Sequence, residues 1–240
     1  MHRRFKLIYL SVFLFLSLPV KSQVLISLVF GDALNSEKIE FGLTGGYNRS
    51  WISDIDEADG LNNFNLGFYF LINLKNNSYL STGVLVKSNV GATGMNTYPL
   101  GDPDFDKVYE DGTLTKKIHY FYVPILFHQR FNNRWFLEGG FQLGLRNKAQ
   151  DIFEKEALDG ELSYKRDVRD QYKHLDAGLA GCIGYKFKKA PKSMAAGIGY
   201  YYGLMNVSEV EDVIIKNSSM YLFVRIPIGA GIKETSGTSD

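Results

Sequence analysis

From Ile39 onward, apolar and polar residues alternate along most of the chain, and the alternation recurs in eight separate stretches. A period of two places successive side chains on opposite faces of a β-strand. In the first stretch Ile39, Phe41, Leu43 and Tyr47 alternate with Glu40, Gly42, Thr44 and Asn48. Phe64, Leu66, Phe68 and Phe70 then oppose Asn65, Gly67 and Tyr69, and Leu80, Thr82, Val84 and Val86 oppose Ser81, Gly83, Leu85 and Lys87. In the fourth, Phe121, Val123, Ile125 and Phe127 face away from Tyr120, Tyr122, Pro124, Leu126, His128 and Arg130. In the fifth, Trp135, Leu137, Gly139, Phe141, Leu143 and Leu145 oppose Phe136, Glu138, Gly140, Gln142, Gly144 and Arg146. The last three run through Leu175, Leu179 and Ile183, through Ile198, Tyr200 and Tyr202, and through Met220, Leu222, Val224 and Ile226.

The connections alternate as well. Lys75–Ser78, Asn132–Asn133 and Lys188–Lys192 are short, whereas Trp51–Asn62, Gly91–Thr115, Gln150–Asp170 and Val207–Lys216 are long and polar. An even number of long strands joined alternately by short and long links predicts an all-β fold. It is an eight-stranded antiparallel up-and-down barrel with all its long loops at one end. Strands of about 9–11 residues or more can cross a bilayer at a tilt. Outer-membrane barrels have short periplasmic turns and longer extracellular loops. The pattern therefore predicts a transmembrane barrel with four long extracellular loops and both ends of the barrel in the periplasm.

Alternation does not say which row faces out. A soluble lipocalin-like barrel would turn the apolar row inward around a ligand; a membrane barrel turns it to lipid. The polar row decides through its composition. It is rich in glycine and carries charges of both signs, as a narrow lumen filled by side chains requires. The predicted lumen network is Glu40, Lys87, Arg130, Glu138, Arg146, His174, Asp176, Lys186 and Arg225. The predicted lipid-facing row is Phe121, Val123, Ile125, Phe127, Leu137, Phe141, Leu143, Leu179, Ile183, Leu222 and Val224. Trp135, Tyr185 and Phe187 at the short-turn end, and Tyr47 and Trp51 at the other, fit the preference of Trp and Tyr for membrane interfaces. Pro124 and Pro227 lie on the lumen row. A closed barrel has no free edge, so each proline is expected to mark a bulge.

Outside the barrel, residues 1–22 read as a cleaved signal peptide: a basic start, an apolar run over Leu7–Leu18 and a cut after Ser22. Residues 23–37 form a periplasmic N-terminal segment, 38–229 the barrel and 230–240 a polar periplasmic tail. The net charge of +1 selects no polyanionic partner. Glycine (24 residues) and aromatics (14%) are both abundant, which suits sheet. Cys182 is the only cysteine, so no internal disulfide can form.

Candidate chemistry is sparse. Asp102-Pro-Asp-Phe-Asp106 starts like a calcium loop, but Lys107 and Thr113 stand where such a loop needs Gly and Glu. His174 and Asp176 suggest part of a hydrolytic set, with Ser163 nearby only along the chain. The charge-rich Gln150–Asp170 reads as an exposed, mobile loop with a short helix over Ile152–Leu158. The pattern calls for no catalytic residue, cofactor, metal or nucleic acid. Its expected partners are outer-membrane lipid and an envelope protein reached through the loops. The leading functional reading is a non-enzymatic barrel acting through those loops or within an envelope assembly; the alternatives are a lipid-modifying barrel enzyme, a small-solute channel and a soluble ligand-binding barrel.

Tyr122-Val-Pro-Ile-Leu-Phe127, Phe41-Gly-Leu-Thr-Gly-Gly-Tyr47, Phe136-Leu-Glu-Gly-Gly-Phe-Gln-Leu-Gly144 and the Ser22-Gln23 junction carry a resemblance. Through them most of residues 38–229 resembles the PorT-like outer-membrane β-barrel family of Bacteroidota. The resemblance implies an outer-membrane barrel of about eight strands. Some relatives are tied to protein secretion. It implies no catalytic residue. The polar tail after the last strand departs from the aromatic ending common in such barrels.

Overall fold

A computed structural model describes residues 38–53, 58–132, 134–157, 160–190 and 192–228. The predicted signal peptide, the 23–37 segment and the 230–240 tail lie outside the described residues. The strands are β1 (Ile39–Ile52), β2 (Asp59–Lys75), β3 (Ser78–Asn96), β4 (Thr113–Phe131), β5 (Trp135–Ala157), β6 (Gly160–Asp167), β7 (Leu175–Lys186), β8 (Ala195–Gly203) and β9 (Asn217–Pro227). A short helix, α1 (Pro103–Tyr109), lies between β3 and β4.

The sheet order is β4-β3-β2-β1-β9-β8-β7-β5-β6, and an additional β4–β5 pairing closes it. Eight strands thus form an antiparallel ring, and β6 pairs only with the outer half of β5. Closure leaves no unpaired backbone edge around the wall, the condition for a sheet to sit in hydrocarbon. Asn76, at φ 54°, and Asn132, at φ 48°, make two of the short turns. Asparagine tolerates this left-handed backbone better than most residues.

The two rows separate as a membrane barrel demands. Phe127, Leu137, Phe141, Leu143, Leu179, Ile183 and Leu222 are exposed, Phe141 to 61%. Val123, Ile125 and Val224 join them, and Phe121 is half-buried. Facing inward, Tyr69, Tyr120, Tyr122, Phe136 and Tyr201 are buried. So are Glu40, Arg130, Glu138, Arg146, Asp176 and Lys186.

Four expectations change, the last at the strand prolines. Lys87 is exposed rather than luminal. The β2–β3 register passes from Leu66↔Lys87 to Gly67↔Leu85, and the β3–β4 register shifts between Leu85 and Ser88. One extra residue in β3 inverts the faces, so that Ser88, Val90 and Ala92 are buried instead. His174 is exposed and precedes β7, so it stands on the rim and not on the lumen row. Among the described residues, 150–157 and Gly160–Asp167 are strand rather than mobile loop or helix. The first of these continues β5 between β4 and β6, with Glu154 opposite both Thr113 and Ser163. Two ladders of backbone hydrogen bonds fix it as strand.

The prolines mark no bulge. Pro124 pairs with Gln142 in an unbroken register, and on the other side Thr82↔Ile125 leads to Leu85↔Tyr122 without a shift. Pro227 pairs in register with Gly42 at the end of β9. A proline omits one ladder bond; it needs no inserted residue. Register shifts lie elsewhere, among them near Lys87 and at His119/Tyr120, where Asn147 is the extra residue of β5.

Candidate functional site in the lumen and its outer crown

The lower lumen is closed by one polar network anchored on seven strands. Glu138 accepts two hydrogen bonds from Arg225, at 2.5 and 2.8 Å. It also contacts His128 Nδ1 at 2.7 Å and accepts from Cys182 Sγ at 3.0 Å. Arg130 Nε donates to His128 Nε2 at 3.2 Å. That donor requires a lone pair on Nε2, so Nδ1 carries the imidazole proton and donates to Glu138. Arg130 continues to Glu40 at 2.9 Å and to the Tyr79 hydroxyl at 3.1 Å, and Tyr69 donates to Glu40 at 3.0 Å. The guanidinium of Arg225 lies 5.1 Å from the Tyr69 ring centre and 5.0 Å from that of Phe223. Charges inside a low-dielectric wall persist only when paired, and these are. Lys186 donates to the Ala190 carbonyl at 2.9 Å.

Higher up, Asp176 accepts from Tyr122 at 2.8 Å and from Asn217 at 2.9 Å. Tyr122 packs against Tyr120 and Tyr201, with ring centres 5.2 and 5.3 Å apart. These rings cross the bore. The cavity beside Glu138, Gln142, Cys182 and Arg225 holds only ≈ 50 Å³. That is room for a few waters, each needing about 10–15 Å³. It admits no substrate to the buried His128–Glu138–Cys182 cluster.

The sequence grouped His174 with Asp176, but the structure separates them. Asp176 is spent on Tyr122 and Asn217, while His174 Nδ1 lies 3.4 Å from Arg146 at the rim. Arg146 also donates to the Lys173 carbonyl at 3.2 Å. Ser163 sits on β6 opposite Glu154. Asp102 caps α1, accepting from Asp104 N at 3.0 Å, and Asp106 accepts from Leu100 N at 2.5 Å. The calcium-loop resemblance is therefore spent on a helix start.

Above the belt the wall continues as a folded crown. β3, β4 and β5 have 19, 19 and 23 residues, far beyond what the bilayer needs. Their outer ends, with α1 and the loops, bury Met95, Tyr109, Leu114, Phe153, Val168, Tyr172, Val207 and Ile215 in a core continuous with the bore tyrosines Tyr120, Tyr122 and Tyr201. Lys116 pairs with Asp151 at 3.0 Å, and Tyr98 donates to the same carboxylate oxygen at 2.8 Å. Burial and this carboxylate push the Tyr98 phenol up to about 12. Tyr172 bridges to Ser208, and Lys173 N donates to Val207 O at 2.8 Å, so the last long loop closes over the bore. The period-two reading placed His128 and Tyr122 on the inward row. It carried no sign that Tyr98, Asp151 and Lys116 would meet, because they come from three segments.

A closed antiparallel barrel with an exposed apolar girdle and a filled, charge-paired lumen is an integral membrane barrel of the outer-membrane type. The family of the outer membrane protein beta-barrel domain matches residues 30–209, and the chain belongs to that family. No curated protein sequence matches it. Among solved structures, the attachment invasion locus protein Ail of Yersinia pestis is similar at 12% identity and TM-score 0.41, over 78% of this chain and 97% of that one. Neisserial surface protein A is similar at 10% identity and TM-score 0.40, over 78% and 96%. OprG of Pseudomonas aeruginosa is similar at 12% identity and TM-score 0.32, over 78% and 93%.

Proposed function

We propose that the protein is a non-enzymatic outer-membrane barrel that works through its extracellular crown, as a docking element for another envelope or secretion component. The crown carries this reading. The strands run well past the bilayer requirement and carry the barrel's hydrophobic core on into the crown, an extension that crossing the membrane alone does not need. The filled lumen argues against transport, and the separation of His174, Asp176 and Ser163 argues against hydrolysis. The sequence motifs of β1, β4 and β5 favour a place in the PorT-like branch, and the N-terminus favours export through a cleaved signal peptide.

The test is in-cell photo-crosslinking with a reactive side chain at Leu162 or Ser163 on β6, compared with one at Asn76 in a periplasmic turn. A discrete protein adduct from the β6 positions alone supports the reading. An adduct only from Asn76 moves the work to the periplasmic end and defeats it. Two further results would overturn it: stepwise conductance in planar bilayers, or phospholipid hydrolysis by the purified protein that is lost in His174→Ala.

A further inference from the structure

The outer wall of the barrel carries a one-sided cluster of cations. On β4, Lys117 and His119 share the face of Phe121, and the register sets His119 opposite Lys148 and Lys117 opposite Gln150. On β6, Lys165 stands opposite Ile152, on the same outward face as Gln150. The faces follow the alternation: Ile118, Ala149, Asp151 and Phe153 are buried inward, and Ile152 on the outward row is itself covered. Lys87 on β3 and Lys148 on β5 reach this surface only because of the two bulges described above. Without the extra residue in each strand, period two would turn both inward. His119 lies within electrostatic reach of Lys87, Lys117 and Lys148, and Lys117 within reach of Lys87 and Lys165. Glu154 is the acid that acts on Lys117.

The height of the cluster identifies its ligand. The His119 ring meets Phe121 edge-on at 5.4 Å, and Phe121 and Leu145 are paired one step further in, on the apolar girdle. His119, Lys148 and Lys117 therefore stand just above the hydrocarbon boundary, at headgroup level on the long-loop side, with Lys87 level with Phe121 and Lys165 one step further out. On the opposite wall the outward residues of β7 to β9 toward the long loops are Leu175, Tyr202, Leu204, Ser218 and Met220, and Arg49 on β1, opposite Met220, adds a cation on that side. A general interfacial belt would be spread around the ring. Here five cations gather on the β3–β6 side, against Arg49 on β1.

We infer that the outward face of Lys87, Lys117, His119, Lys148 and Lys165 binds the phosphorylated headgroup of an outer-leaflet glycolipid. Lysines at a membrane surface each contribute on the order of fivefold to the binding of anionic lipid. Replacing three should weaken binding roughly a hundredfold.

The experiment uses the full chain, folded and reconstituted in nanodiscs of neutral phospholipid doped with bis-phosphorylated lipid A, with retained lipid counted by native mass spectrometry. Wild type should retain lipid A. The Lys87→Gln/Lys117→Gln/Lys148→Gln variant should lose it by about that factor while keeping its heat-dependent gel mobility. Dephosphorylated lipid A should bind wild type as weakly as the variant binds the phosphorylated form. Equal retention by the folded variant would overturn the inference. So would full displacement by free pyrophosphate, which would mark a soluble-anion surface instead. Should the triple variant not fold, Lys117→Gln alone is read the same way, with about a fivefold loss expected and no loss counting against the site.

Discussion

Glu138 holds the lower lumen together, and its removal gives the sharpest test of the packing described here. Its side chain has no exposed surface and meets Arg225, His128 and Cys182 at once. Glu138→Gln keeps the shape but removes the charge. The Arg225 guanidinium, itself 12% exposed, then has no carboxylate to face. Breaking a buried pair from one side costs about 3–5 kcal/mol, most of it from the charge left behind. Removing both partners with apolar residues of similar volume is often close to neutral. The double variant Glu138→Leu/Arg225→Met should therefore recover most of that loss, leaving a residual of about 1–2 kcal/mol from the unsatisfied His128 N–H. Equilibrium urea unfolding in lipid vesicles, followed by tryptophan emission and gel mobility, measures both. A cost below about 1 kcal/mol for Glu138→Gln, or a double variant worse than the single one, would refute a paired and desolvated network.

Other outcomes follow from the same geometry. Phe141→Lys should destabilise by about 2–4 kcal/mol through the lipid face, whereas Gln142→Lys, one residue on, depends on lumen pairing; equal costs in vesicle unfolding would mean that the faces are wrongly assigned. A methyl added at Gly144 would stand 2.5 Å from the Tyr122 ring. Gly144→Ala should then cost about 1–3 kcal/mol by overpacking, and no change in urea midpoint would show that the bore has slack. The Tyr98 phenol titrates at about 12 when folded, against an ordinary 10.0. A raised folded value stabilises the crown fully below the ordinary value and loses that contribution as pH climbs from 10 toward 12. Protease protection of residues 97–112 should fall over that window, and Tyr98→Phe should remove the dependence.

Alternation along the chain was enough to determine the eight strands of the wall, most of their inward and outward rows and the rule of short and long links, because each depends only on period two and on turn chemistry. It legibly placed Glu138, Arg130 and Arg225 inside and Phe141 outside. It could not show that Lys87 points out, because a bulge adds one residue and the period resumes beyond it with inverted faces. Nor could it show that residues 150–157 and Gly160–Asp167 pair as strands: charge density resembles a solvated loop until β4 and β6 supply backbone partners on both sides of β5. Pro124 looked like a defect because its missing N–H is visible in sequence, while the single ladder bond it forgoes is visible only in the register. Ring closure, the meeting of Glu138 with Arg225 across 87 positions and the gathering of lysines on one wall all required the tertiary structure. Their contacts join strands remote in sequence, and no local pattern encodes which remote strand will be the neighbour.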